Sequence, residues 1–145
     1  MFKKILVPVD GSDGAWRALE HAVAIGEKFE AELAVVTVIQ PYNNATLLSV
    51  PLDTKTVQES NDELEKIGDK VLQMAAERLM SYKGKVDYCV EVGHPSERII
   101  ALAKKSDAEA IVIGSRGLSG IAEFFLGSVS SKVSQYADVP VLIVK

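Results

Sequence analysis

Five short apolar runs alternate along this chain with four longer stretches of helical periodicity. Residues 4–9, 33–39, 86–92, 110–113 and 140–144 are rich in Val, Ile and Leu, and most lack the polar alternation of a half-exposed strand. A strand that is apolar at both parities is buried on both faces, the environment of a parallel sheet covered by helices. Between the runs, Trp16, Leu19 and Val23 space a helix over about 13–29. Leu64, Ile67, Val71, Leu72, Ala75 and Leu79 space one over 57–81, Ile99, Ile100 and Ala103 one over 96–106, and residues 128–137 complete the set. Four helices alternating with five strands predict an α/β chain: an open five-stranded parallel sheet, doubly wound by right-handed crossovers. In such sheets a ligand lies outside the carboxyl ends of the strands, where the winding reverses.

With 145 residues, 48% of them apolar, the chain can bury about two thirds of its unfolded surface, enough for a single domain over 1–145 with one core. One cysteine, Cys89, in an apolar stretch reads as a buried thiol and suits a reducing compartment. The first apolar run is too short for a signal segment, and no stretch approaches the ~20 apolar residues of a membrane span. The expectation is a soluble, cytoplasmic protein without a membrane partner. A net charge of −4, with no basic cluster, argues against a nucleic-acid surface. Residues 40–56, with Pro41, Asn43, Asn44 and Pro51, exceed the usual connection length and form either a cover over a ligand or a plain excursion.

The chemistry is concentrated late in the chain. The run Ala110-Ile111-Val112-Ile113 leads into Gly114-Ser115-Arg116-Gly117, and nine residues further Gly127-Ser128 open the helical spacing Val129, Val133, Tyr136. Glycines at a strand's carboxyl end let the backbone approach a ligand, and the free N–H groups of a helix start attract anions, so the pattern suits phosphates. It is not a P-loop, because Val129 rather than lysine follows Ser128, and no GxGxxG follows the first strand. Two ordinary tight turns are the plain alternative. Ser128 either gives its N–H and hydroxyl to phosphate or simply caps the helix, two roles it can hold together. Arg116 either reaches a terminal phosphate or points to solvent.

The form G-x-x-G-x(9)-G-S, together with Ile5-Leu6-Val7-Pro8-Val9-Asp10-Gly11-Ser12, Val92-Gly93-His94-Pro95 and Val139-Pro140-Val141-Leu142-Ile143-Val144, resembles the ATP-binding branch of the universal stress protein family along nearly the whole chain. The resemblance implies strand order 3-2-1-4-5, a flavodoxin-like topology that sets the loops after strands one and four side by side. It further implies that Ile113, Gly114, Gly117, Gly127, Ser128 and Val129 contact ribose and phosphates. Val38 would meet the adenine through its backbone, with Pro8 and Val9 as apolar wall. Asp10 would lie near the phosphates and hold a divalent cation, Mg or Mn, which makes chemical sense because magnesium binds one or two carboxylates plus phosphate oxygens. Alternatively Asp10 is a turn residue capping the first helix.

The remaining conspicuous residues read structurally: His21 as a partly exposed helix residue, His94 as a turn residue, Met74 and Met80 as core filling and helix edge, and Glu59, Asp62, Glu63 and Glu65 as a solvated face that opens the second helix and favours its dipole. In the spacer 118–126, Ile121, Phe124, Phe125 and Leu126 suggest an apolar turn packing on the sheet or on a partner. The last strand is an edge too apolar to remain unpaired, which predicts a homodimer through it, as the resemblance also implies. Two functions follow: an ATP-binding stress-response or regulatory module whose nucleotide changes a dimer or partner surface, or a slow metal-dependent ATPase. With no lysine clamp and no evident water-positioning Gln or Glu beside the loop, binding is favoured over turnover.

Overall fold

The apolar runs form one parallel sheet in the computed structural model, which describes residues 1–41, 53–117 and 126–145. In chain order the elements are β1 (Lys4–Pro8), α1 (Asp13–Phe29), β2 (Glu32–Ile39), α2 (Thr54–Arg78), β3 (Val86–Val92), α3 (Pro95–Lys105), β4 (Ala110–Gly114), α4 (Ser128–Tyr136) and β5 (Val141–Val144). The strand order is β3-β2-β1-β4-β5 with every pairing parallel, the doubly wound arrangement expected.

Two cores lie on the two faces of the sheet, and strand parity assigns each residue to one of them. Ile5, Val7, Leu33, Val35 and Val112 pack with Trp16, Leu19, Leu72 and Ala75 of α1 and α2. Leu6, Val36, Ile111 and Ile113 pack with Ile99, Ala103 and Val133 of α3 and α4. Ile5, Leu6 and Val7 are 0% exposed, so each contributes about 1.5–3 kcal/mol of apolar burial to holding the central strand.

Element ends differ from expectation where a particular group decides them. The first ladder residue lost is Val9, which follows Pro8 and keeps only its N–H bond to the Val36 carbonyl, 2.8 Å. Helix α2 starts at Thr54, because the Asp53 side chain accepts the Thr56 N–H at 2.7 Å. Its first turn therefore contains no acidic residue, and Glu59 and its neighbours sit too far along to act on the helix dipole. Pro140 falls outside β5, although its carbonyl accepts the Ile111 N–H.

Three side chains expected inside are not. The buried stripe of α2 runs through Gly68, Leu72, Ala75 and Leu79, so Ile67 and Met74, each one residue earlier, rotate about 100° onto a flank and are 57% and 42% exposed. Cys89 is only half-buried because β3 is an outer strand. Partial desolvation still raises its thiol pKa, with Glu91 adding to the shift. His21 is an exposed helix residue with Nδ1 2.8 Å from the Arg17 carbonyl, and His94 precedes α3 without a side-chain capping bond. The readings of 42–52 and of Ile121, Phe124 and Phe125 lie outside the described residues. Among those described, no helix is long and apolar enough to cross a membrane.

Candidate nucleotide site

Strand β1 pairs with β4 only through Ile5 with Ala110 and Leu6 with Ile111. Beyond that point β1, still paired with β2 through Pro8, and β4, which runs on to Gly114, are no longer paired with each other, and a cleft of about 300 Å³ opens at the carboxyl ends, where the winding reverses. Pro8, Val9 and Asp10 line it from β1, Val38 from β2, and Ile113, Gly114, Arg116 and Gly117 from β4 and its loop. Gly127, Ser128 and Val129 line it from the start of α4. Every residue singled out in the sequence thus faces one space, joined by Ser12, Ala15, Val36, Pro95, Ile99, Ser115 and Ser130.

The β1 end of the cleft is organised by Asp10 and Ser12. Gly11 has φ +85°, a left-handed turn that brings Ser12 back onto Asp10, whose Oδ1 accepts both the Ser12 N–H, at 3.0 Å, and the Ser12 hydroxyl. Ser12 Oγ in turn accepts the Ala15 N–H at 3.2 Å. Ser12, not Asp10, is therefore the cap of α1. The other oxygen of Asp10, Oδ2, faces Gly117: a Cβ at 117 would stand 2.5 Å from it.

The loop glycines owe their identity to the protein's own packing. Gly114, Gly117 and Gly127 all have ordinary backbone angles, so conformational freedom does not require them. A Cβ on Gly114 would lie 2.8 Å from the Gly14 carbonyl oxygen, and one on Gly14 would lie 2.9 Å from the Arg116 carbonyl oxygen. The start of α1 is pressed onto the end of β4 at a distance that only glycines on both sides permit. At Gly127 the limit is the Ser115 carbonyl oxygen, 3.1 Å from a virtual Cβ.

Gly127 is the N-cap of α4, and Ser128 is its first residue rather than the cap. The Gly127 N–H is held by the Ser115 carbonyl at 2.7 Å. Buried Ser130, which carries no sequence signal of its own, donates its hydroxyl to the same carbonyl at 2.8 Å and to the Gly127 carbonyl at 3.1 Å. These bonds fix the start of α4, whose first-turn residues Ser128 and Val129 have no intrahelical acceptor for their N–H groups and line the cleft.

At the opposite end the wall is apolar: Pro8, Val9, Val36, Val38, Ile113 and, from the start of α3, Pro95 and Ile99. The Gly93-His94-Pro95 turn was visible as a motif, but its approach to β2 comes from the Gly93 N–H bonding the Ile39 carbonyl at 2.9 Å. Along β2, the backbone groups of Glu32 and Val36 point toward β1 and those of Leu33 and Ile39 toward β3. By this alternation the N–H and C=O of Val38 point to the β1 side, past the last bond of that ladder. A donor and an acceptor side by side on an apolar wall can pair with the edge of a heterocyclic base. Asp10 is the one carboxylate among the described lining residues, and these residues contain no cluster of three or more His, Cys, Asp or Glu side chains.

The sequence model of the Universal stress protein family matches residues 1–145. The chain belongs to this family. Among its curated relatives, the universal stress protein YxiE of Bacillus subtilis is 37% identical over 150 residues that span both chains completely. The solved structure of MJ0577 of Methanocaldococcus jannaschii, a universal stress protein, superposes with a TM-score of 0.87 at 29% identity, covering 100% of this chain and 96% of that one. The universal stress protein of Archaeoglobus fulgidus in complex with dAMP superposes with a TM-score of 0.67 at 25% identity, covering both chains fully.

Proposed function

We propose that this universal stress protein is a stress-response or regulatory module that binds ATP with a divalent cation, Mg²⁺ or Mn²⁺, in the cleft between β1 and β4. The observation that carries the reading is the polarity of that cleft. A base-pairing backbone edge at Val38 lies on an apolar wall at one end, and a helix start with free N–H groups lies at the other, with Asp10 and Arg116 also lining the space. Adenine would stack between Val38, Pro8 and Val9, and ribose and phosphates would follow Ile113, Gly114, Gly117, Gly127, Ser128 and Val129. The dAMP complex of the relative from Archaeoglobus fulgidus supports an adenine nucleotide. The donor set fits a cation held jointly with phosphate: among the described residues Asp10 has one oxygen, Oδ2, without a hydrogen-bond partner, and it faces Gly117, which has no Cβ to crowd it. The ion would neutralise phosphate charge beside the Asp10 carboxylate.

Binding is favoured over turnover. The described lining has no lysine, histidine, glutamine or second carboxylate to position water or a leaving group, so hydrolysis is expected at about one turnover per minute or slower. We further propose a cytoplasmic homodimer through β5. The two sheet edges differ: β3 carries Asp87 and Glu91, charges that guard an edge, whereas Val141–Val144 carries none and leaves Leu142 42% exposed. Nucleotide binding would then act on this dimer, since the Ser115 N–H bonds the Val144 carbonyl at 2.8 Å while the Ser115 carbonyl holds α4.

Thermal unfolding with and without millimolar MgATP tests the reading. A ligand at a hundred times its Kd stabilises by about 2.7 kcal/mol, which raises Tm by roughly 5–10 °C in a domain of this size. No shift together with no heat of binding sinks it, and an equal response to GTP refutes the adenine wall at Val38.

A further inference from the structure

We infer that Ser12 is a positioning residue that makes the Asp10 carboxylate a one-oxygen ligand, and thereby selects a small octahedral cation, Mg²⁺ or Mn²⁺, over Ca²⁺ beside the nucleotide phosphates. The inference rests on the proposed nucleotide reading. Its basis is the unequal treatment of the two Asp10 oxygens.

Oδ1 is occupied twice, by the Ser12 N–H and by the Ser12 hydroxyl. That hydroxyl is not free to turn away, because its oxygen takes the Ala15 N–H, which leaves its single proton for Oδ1. Ser12 is itself fixed from both sides. The left-handed Gly11 precedes it, and Gly14, two residues on, is packed against the Arg116 carbonyl. Oδ2 faces the slot that Gly117 leaves by having no Cβ. Six- to eightfold coordination of Ca²⁺ commonly recruits both oxygens of a carboxylate, which here would displace the hydrogen bond of the Ser12 hydroxyl to a charged acceptor. Mg²⁺ takes one carboxylate oxygen plus phosphate oxygens and water in near-octahedral geometry, and leaves the Ser12 bonds intact.

The test is calorimetric titration of the full chain with ATP under Mg²⁺, Ca²⁺ or EDTA, together with Mn²⁺ electron paramagnetic resonance in the presence of ATP. Wild type is expected to bind MgATP on the order of tenfold more tightly than CaATP, the factor set by displacing a charge-assisted hydrogen bond. Ser12→Ala should bring the two within about threefold and alter the Mn²⁺ spectrum, while Ser12→Thr, which keeps the hydroxyl, restores the wild-type ratio. If loss of the cap unfolds Ser12→Ala, Ser12→Gly serves, because glycine caps helices almost as well. A folded Ser12→Ala or Ser12→Gly that keeps the wild-type preference overturns the inference. So does a wild type that binds ATP equally with every cation or with none, a result that leaves the nucleotide reading standing. A wild type that binds no ATP under any condition overturns both.

Discussion

Gly114→Ala distinguishes two reasons for a glycine at the end of β4. If the glycine exists to admit a ligand, the free protein should tolerate alanine and only binding should suffer. The structure gives the other answer. The added Cβ would meet the Gly14 carbonyl oxygen at 2.8 Å, its carbon at 2.9 Å and the Ala15 nitrogen at 3.2 Å. All three are backbone atoms at the start of α1, and the closest is about 0.6 Å inside the 3.4 Å of ordinary contact. No side chain can swing aside, so α1 must move away from β4, or β4 must bend. Overpacking of this kind costs about 1–3 kcal/mol. Lower unfolded-state entropy returns roughly 0.4–1 kcal/mol, and a net loss near 1–2 kcal/mol should lower Tm by about 3–8 °C at this chain length. Calorimetry and urea unfolding of the ligand-free protein measure it. Gly127→Ala, whose closest approach is 3.1 Å to one carbonyl, should cost less. An unchanged or raised Tm for ligand-free Gly114→Ala would refute the packing argument.

Ser130→Ala should cost only about 0.5–1.5 kcal/mol in urea unfolding, because the Ser115 carbonyl keeps the Gly127 N–H when the hydroxyl is lost. A loss above about 3 kcal/mol would show that carbonyl to be orphaned. In β5 the carbonyls of Pro140 and Val144 face β4, so the N–H groups of Val141 and Ile143 face the open edge. Ile143→Pro should therefore weaken a β5-mediated dimer in sedimentation while leaving the β4 ladder intact, whereas Leu142→Pro should break that ladder; a wild type that sediments as a monomer with or without ATP refutes this interface. The exposed Asp53 carboxyl is held below its ordinary pKa by the hydroxyl and N–H of Thr56. Its contribution to the start of α2 is then fully present above the unfolded pKa near 4 and is lost as pH falls through the depressed folded value. Protection of the Thr56 amide relative to its intrinsic exchange rate should fall as pH drops across that window in wild type and stay flat in Asp53→Asn; identical profiles would remove Asp53 as the cap.

The element order was legible because burial on both faces demands apolar residues at both parities, a pattern that survives in one dimension. The strand order 3-2-1-4-5 was not read from periodicity. It came from the resemblance of the glycine loop and three other motifs to a family, and the pairings bear it out. The residues expected at a nucleotide, the loop glycines from their place between strand and helix and Pro8, Val9 and Val38 from the family resemblance alone, all line one cleft at the carboxyl ends of the strands. Their individual tasks were not legible. That Ser130 braces the loop and that Pro95 and Ile99 close the apolar end depend on contacts between segments distant in sequence, whereas Ser12 rather than Asp10 caps α1 through a local turn at Gly11 whose geometry only the structure shows. The same holds for burial: helical periodicity grouped Ile67 and Met74 with the core of α2, but the face of that helix that packs inward runs through Gly68, Leu72 and Ala75 and leaves them on its flank. A sequence by itself determines which residues want to leave water and where the backbone must turn. That the second oxygen of Asp10 comes to face Gly117, and which glycine is needed by the neighbouring helix, was decided only when α1 and β4 closed to van der Waals contact, because sterics at a few tenths of an ångström act between atoms and leave no period in the chain.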